Sequence, residues 1–350
     1  MTTTVSEGAP KLMNSFIEIQ KRLLPDLLVI MQKRYYILHH ISNMQPVGRR
    51  SLAGSLGMTE RVLRSEVELL KDQKLIHIST IGMTLTPIGE ETLESLSSVM
   101  REVAGINQME KELEKKLQIK RVIIVAGDSD HSPWLKKELG LATANCMKSL
   151  LKGNNIIAVN GGTTMAAVAE MLTPNIVDGE WLFVPARGGI GEDVKNQANT
   201  ICSMMADRTA SKHRVLYAPD EVSKEMYKSI VKDARINEVL QLIKSASLLI
   251  HGIGDAITMA ERRSTSASDL EKIVQAEAVG EAFGYYFNED GEVVHKVQTI
   301  GLRLENLSTV PNVIAVAGGS SKSKAISAYL KKAPPSTILI TDEGAAKNLI

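Results

Sequence analysis

The sequence predicts a multidomain chain, with a mainly α winged helix-turn-helix followed by an α/β domain of Rossmann-like, parallel-sheet type. Three observations predict it. Residues 47–70 carry two short amphipathic stretches joined at a glycine. From Lys120 onward, short apolar runs alternate with helical stretches. Several of those runs end in Gly-rich turns.

The composition supports two or more domains. The chain has 350 residues, 44% of them hydrophobic, enough to bury a sizeable core. Aromatics are only 4%, so that core must be aliphatic, with 15 methionines as gap fillers. Lys plus Arg is 41 and Asp plus Glu is 40. The balance excludes a chain that coats nucleic acid along its whole length, while leaving room for a local basic patch. Cys146 and Cys202 form no Cys-x-x-Cys pair, which excludes a disulfide framework or zinc finger and fits a reducing compartment. The opening MTTTVSEGAP lacks the pattern of a signal peptide, and no apolar run approaches membrane-spanning length. A cytoplasmic protein without membrane attachment is expected.

In chain order, residues 1–13 read as a flexible tail. Phe16, Ile19, Leu23 and Leu27 recur at helical spacing over residues 14–28, with Pro25 as a kink or a new start. Short helices and a hairpin are expected over residues 29–88, and residues 14–92 form the first domain. Leu93, Leu96, Val99, Val103, Ile106, Met109, Leu113 and Leu117 make one apolar seam. Residues 93–118 are therefore expected to be a helical connector that pairs with a second copy, or else packs on its own domain.

The segment VGRRSLAGSLGMTERVLRSEVELL (Val47–Leu70) carries the first chemistry. Leu52, Ala53 and Leu56 give one short helix an apolar face, and Gly57 suits the tight turn after it. Thr59 caps a second helix that starts at Glu60. On it Val62, Leu63, Val67 and Leu70 are expected to point inward, and Arg61, Arg64, Ser65 and Glu68 outward. Leu75–Ser79 and Met83–Thr86, around Ile81-Gly82, read as a wing. Residues 33–74 hold eight Lys or Arg against four Asp or Glu. That excess is the footprint of phosphate contact. Arg49 and Arg50 are placed to grip phosphate, and Arg61 and Arg64 to read base edges from the second helix. Operator-like duplex DNA is the expected partner. A three-helix domain with a solvated basic face is the plainer alternative.

Residues 119–350 form the second domain. Its expected strands are Val122–Ala126, Ile156–Asn160, Trp181–Ala186, Val215–Ala218, Leu248–Ile250, Val313–Ala317 and Thr337–Thr341, with a hairpin around Asn288-Glu289-Asp290-Gly291. Two strands run into Gly-Gly loops followed by helices: Gly161-Gly162-Thr163-Thr164 and Gly318-Gly319-Ser320-Ser321-Lys322. Glycines admit a ligand to the backbone, and a helix start offers free N–H groups, so each loop is a candidate anion site. Neither has the spacing of a nucleotide P-loop. Other strand ends deliver Arg187, and His251 through Asp255 with Arg262 and Arg263 one helix later. Gln197 and Asn199 suit sugar hydroxyls. Glu281 suits hydroxyls too, although a solvated helix face is the simpler reading of it. The seven histidines lack ligand-like spacing, with His39 and His40 read as helix surface, so neither metal nor cofactor is expected.

The stretches RRSLAGSLGMTERVLR, AGDSDHSPWLKKELG, GGTTM, PARGGIGEDVKNQANT, HGIGDA, EAFGYYFNEDGEVVHK, AGGSSK and TDEGAA together resemble the SorC family of sugar-responsive bacterial transcription regulators. The likeness is to those members that repress a central glycolytic operon in Gram-positive bacteria, and it runs from about Lys21 to the end. It implies an effector domain folded like glucosamine-6-phosphate deaminase and ribose-5-phosphate isomerase. It also implies fructose-1,6-bisphosphate as inducer and a dimer or tetramer on DNA. Carried over by position, Gly161, Gly162, Thr163 and Thr164 correspond to a phosphate cradle. Arg187, Arg262 and Lys322 correspond to further phosphate partners, and Gln197 and Glu281 to sugar or loop contacts. Arg262 is preferred over Arg263. No catalytic residue follows from this. A sugar-phosphate isomerase or deaminase on the same fold is the alternative, with Asp255, Glu281 and His251 as its candidate acids and bases.

Overall fold

The computed structural model describes residues 19–20, 22–132, 134–174, 179–189 and 193–350. The expected tail, 1–13, and residues 14–18 and 21 of the expected 14–28 helix lie outside them. Internal contacts divide the chain into two compact units, 1–108 and 109–350.

In the first unit, a 20-residue helix, Pro25–Met44, precedes the short helices and hairpin expected after Val29 and takes up the first part of that stretch. Pro25 stands in its first turn, where a missing N–H costs nothing, and the helix ends before Pro46. Its Ile37, Leu38 and Ile41 are buried against Leu52, Leu63, Val67 and Leu70. His40, expected at the surface, is buried, with Nδ1 3.1 Å from Ser55 Oγ. The helices Arg49–Ser55 and Glu60–Asp72 follow, joined through Gly57 at φ +62°. Thr59 caps the second, its hydroxyl accepting the Val62 N–H at 3.4 Å. One expected orientation fails. Val62 is 44% exposed, and Glu66 is turned inward in its place. Glu66 can be buried because Arg34 Nε donates to it at 2.9 Å and Lys33 Nζ also pairs with it. Burial raises the Glu66 pKa, but these two cations more than offset it and hold the carboxyl below its ordinary range. Strands β1 (Ile76–Ser79) and β2 (Gly82–Leu85) pair antiparallel as the wing.

The expected continuous seam is broken. Helices Pro87–Val103 and Ile106–Leu117 are separated at Gly105, whose φ of +69° ends the first.

The second unit is built on a seven-stranded parallel sheet. Its strands are β3 (Arg121–Val125), β4 (Asn155–Val159), β5 (Trp181–Pro185), β6 (Lys212–His213), β7 (Leu248–Gly252), β12 (Asn312–Val316) and β13 (Thr337–Asp342). The order is β3-β13-β12-β7-β4-β5-β6. The central strands are buried on both faces, which is why they read as unbroken apolar runs. The core on one face holds Met147, Met165, Met205, Trp181 and Phe183. The expected strand Val215–Ala218 is not formed. The last ladder bond there is Arg214 N–H to Phe183 O, and the Asn199 amide then takes both the N–H and the carbonyl of Leu216. With its backbone groups satisfied by a side chain, the segment leaves the sheet. A smaller antiparallel sheet, β11-β10-β9-β8, contains β8 (Gly254–Asp255), β9 (Gly280–Ala282), β10 (Tyr285–Phe287) and β11 (Val293–Lys296). The hairpin expected around Asp290-Gly291 is β10 and β11.

Candidate functional site

The strand order places a ligand site. From β4 the chain moves outward through β5 to β6, then returns to β7 beside β4 and proceeds to β12 and β13. Connections diverge between β4 and β7, and in such sheets the crevice at the carboxyl ends of the diverging strands is where ligands bind. A cavity that opens to solvent lies at these ends.

Beyond β4, Gly161 and Gly162 lead into the nine-residue helix Thr163–Met171. Gly162 has φ +117° and ψ 160°, a conformation for glycine only, and no side chain caps the helix. A Cβ on Gly161 would lie 2.7 Å from the Asn196 carbonyl, so glycine is also needed for the neighbouring segment to approach. That carbonyl accepts the Gly162 N–H at 2.8 Å. The result is an uncapped helix start facing the cavity beside Thr163 and Thr164. Lys322 and Arg262 also line the cavity. Burial lowers the Lys322 pKa, and the positive charges of Lys136 and Arg262 add to that, against Asp130 and Asp255. A site that depresses a lysine in this way gains by taking up an anion.

The opposite wall is different. Arg187 and Glu281 are both buried there. Arg187 Nη2 donates to Asp220 at 2.7 Å, Arg263 Nη1 to Asp220 Oδ2 at 2.5 Å and Arg263 Nη2 to Glu281 Oε1 at 2.9 Å. Glu281 also accepts the Gly284 N–H at 2.5 Å. The solvated-helix reading of Glu281 is therefore wrong. It sits on β9, buried, because two guanidinium groups compensate its charge. Gln197 borders the same cavity, its Oε1 close over Gly189.

Every effector residue expected from the sequence lines this one cavity: Gly161, Gly162, Thr163, Thr164, Arg187, Gln197, Arg262, Glu281 and Lys322. Arg262 and Arg263 both line it, and Arg263 is held in the ion pairs with Asp220 and Glu281. The second Gly-Gly loop departs from expectation. Its N–H groups are already taken: Gly319 by Asp342 (2.7 Å), Ser320 by Asp128 (3.2 Å) and Ser321 by Asp130 (2.7 Å). It contributes Lys322 to the site and no anion cradle. Asn199 is likewise spent on Leu216. His251 and Asp255, candidates for acid–base chemistry, are outside the lining. His251 is bonded to Tyr329, and Asp255 caps the helix Ala256–Arg262 through the Thr258 N–H at 2.9 Å. Sequence reading missed Asn160, Asp193 and Asp220 in the lining. Asp220 carries no local signal, since it arrives from a loop after an apolar segment. Among the described residues no His, Cys, Asp and Glu cluster could hold a metal.

In the first unit, Arg49, Arg50, Arg61 and Arg64 are all exposed on the helix-turn-helix. Arg61 and Arg64 stand in the first turns of the second helix, the position that reads base edges when such a helix enters the major groove. Exposed Glu60 accepts a bond from Arg50 Nε at 3.2 Å across the turn.

Comparison with known proteins agrees with this division of labour. Residues 30–100 match the family of the CggR N-terminal DNA binding domain, and residues 101–350 match a sugar-binding domain family. The central glycolytic genes regulator of Bacillus subtilis is 57% identical over 338 residues, covering 97% of this chain and 99% of its own. That of Priestia megaterium is 58% identical over 339 residues, with the same coverage. Among crystal structures, a SorC family transcriptional regulator from Enterococcus faecalis is 48% identical with a TM-score of 0.66, covering 69% of this chain and 99% of its own. The full-length sorbitol operon regulator SorC from Klebsiella pneumoniae is 16% identical, covers 87% of this chain and 94% of its own, and shares the fold with a TM-score of 0.64. No described helix is long and apolar enough to cross a membrane.

Proposed function

The chain belongs to the SorC family of transcriptional regulators, to the branch of the central glycolytic genes regulators, and from that premise we propose that it represses a glycolytic operon and leaves its operator on binding fructose-1,6-bisphosphate. The observation that carries the effector half is the make-up of the cavity. An uncapped helix start with Thr163, Thr164, Arg262 and Lys322 suits one phosphate, and Gln197, Glu281 and Arg187 suit sugar hydroxyls and a second phosphate. The operator half rests on the exposed arginines of the helix-turn-helix. Arg61 and Arg64 read bases, while Arg49 and Arg50 grip phosphate. A dimer or tetramer presents two such helices to a two-fold operator.

Release requires that the sugar bind one protomer arrangement better than another. A tenfold loss of operator affinity takes about 1.4 kcal/mol of such differential binding. The test uses the full chain on a fluorescent duplex from upstream of a glycolytic operon. Fructose-1,6-bisphosphate is titrated against fructose-6-phosphate, and anisotropy reports DNA release. The bisphosphate is expected to release the duplex at concentrations where the monophosphate does not. Equal effects, or none, would refute the effector. Failure to bind the duplex before any sugar is added would refute the operator.

A further inference from the structure

Arg187, Asp220, Arg263 and Glu281 form a closed ring of charge in the cavity wall, and all four side chains are almost wholly out of solvent. Asp220 bridges the two guanidinium groups. Glu281 completes the ring, 2.9 Å from Arg263 and 3.6 Å from Arg187. Two positive and two negative charges cancel, so neither arginine offers net positive charge to a ligand. At the helix-start end, no described side chain caps the N–H groups of Thr163–Met171. The cavity is therefore asymmetric, with one end ready for an anion and the other holding anion-binding groups already engaged by carboxylates.

The engagement is not fully satisfying. Nε–H of both Arg187 and Arg263 is buried and donates to nothing among the described residues. Buried donors without acceptors are costly, and a ligand oxygen at this wall would relieve them. Asp220 meanwhile cannot withdraw freely. Its N–H donates to the Gly189 carbonyl at 2.9 Å, and its carbonyl accepts the Ile300 N–H at 3.1 Å. Its backbone is pinned on both sides, and only the side chain can give way.

Resting on the reading that this cavity takes a phosphorylated sugar, we propose that Asp220 is the residue that sets the preference between sugars with one phosphate and sugars with two. Its carboxylate occupies the face of Arg187 and Arg263 that a second phosphate requires. A second phosphate binds there by displacing Asp220 from the arginines. A ligand with hydroxyls at that end leaves the ring closed and uses its carboxylates as acceptors and its Nε–H groups as donors.

The test compares the full-length wild type with Asp220→Asn and Arg263→Gln. Titration calorimetry gives the affinities for fructose-1,6-bisphosphate and fructose-6-phosphate, and the readout is their ratio. Asp220→Asn leaves the ring with one excess positive charge and is expected to raise the preference for the bisphosphate at least about tenfold. Arg263→Gln leaves one excess negative charge and is expected to lower that preference. A merely structural role for the ring would weaken both sugars in both variants and leave the ratio alone. A ratio within threefold of wild type in both variants, or moved in the same direction by both, overturns the proposal. Should Asp220→Asn not fold, the ratio in Arg263→Gln decides by itself. Wild-type protein that binds neither sugar overturns the effector reading and this proposal with it. Wild-type protein that binds, with ratios unmoved in the variants, overturns this proposal alone.

Discussion

Acid should loosen the sugar-binding unit through one ring, His251. The residue ends the buried part of β7 and is completely out of solvent. Its Nδ1 lies 3.0 Å from the Gly252 carbonyl, which can only accept, so Nδ1 carries the proton. Nε2 then accepts the Tyr329 hydroxyl at 2.9 Å, and the Phe283 ring packs 4.8 Å away. Both nitrogens are satisfied in the neutral form, and burial pushes the pKa down to about 4 from 6.5, with the Gly252 bond opposing slightly. Because the folded pKa is the lower one, the unfolded chain takes up the proton first. The stabilisation is complete above about pH 6.5 and is lost as pH falls toward 4. At about 1.36 kcal/mol per pH unit, the full loss is about 3 kcal/mol. Denaturant unfolding of wild type and His251→Gln at pH 7, 5.5 and 4.5 isolates this contribution, since all other titrations are common to both. The variant starts less stable but should lose less on acidification, closing the gap by about 2–3 kcal/mol. Parallel curves for the two proteins would refute the reasoning.

Four further outcomes are expected. Arg61→Ala should cost about 1–3 kcal/mol of operator binding, read by anisotropy, while sugar-induced shifts in melting temperature persist; loss of both would contradict separate roles for the two units. Arg49→Ala should weaken all duplexes alike and reduce the salt dependence of binding by about one counterion, whereas a selective loss would reassign Arg49 to base reading. Gly162→Ala places a side chain at φ +117° in open space, so the cost is backbone strain of about 1–3 kcal/mol, seen in melting and in weakened sugar affinity. Glu66→Gln strands Lys33 and Arg34 and should cost the helix-turn-helix unit about 1–2 kcal/mol near neutral pH. That difference should shrink as acid protonates the wild-type carboxylate.

The parts legible in the sequence were those set by local rules. Gly57, Thr59 and the wing glycine Gly82 fix backbone geometry within a few residues, and the structure has each of them in the expected role. Buried parallel strands announce themselves as apolar runs, and six of the seven formed where expected. What failed was decided at a distance. Val215–Ala218 has strand composition, yet Asn199 captures its backbone. Val62 looked like an inward residue of the second helix, yet Glu66 is buried in its place because Lys33 and Arg34, some thirty positions earlier, are brought against it. Glu281 looked solvated for the same reason, because Arg263 and Asp220 are not its neighbours in sequence.

The two Gly-Gly loops show why a motif alone does not make a site. Each follows a parallel strand, each has its second glycine at positive φ, and each leads into a helical turn. At Gly161-Gly162 the element crossing the loop is the Asn196 segment, which offers a carbonyl to one N–H and leaves the helix start open. At Gly318-Gly319 the crossing elements carry Asp128, Asp130 and Asp342, and their carboxylates fill the same kind of donor nest from within. The fold thus uses one backbone device twice, once with its helix start left open to the cavity and once to bind its own carboxylates. The second use holds Lys322 in place: with Gly319, Ser320 and Ser321 tied down, the ammonium that follows them lines the cavity at the first loop. The intramolecular carboxylates rigidify the support from which Lys322 reaches the cavity beside the open helix start.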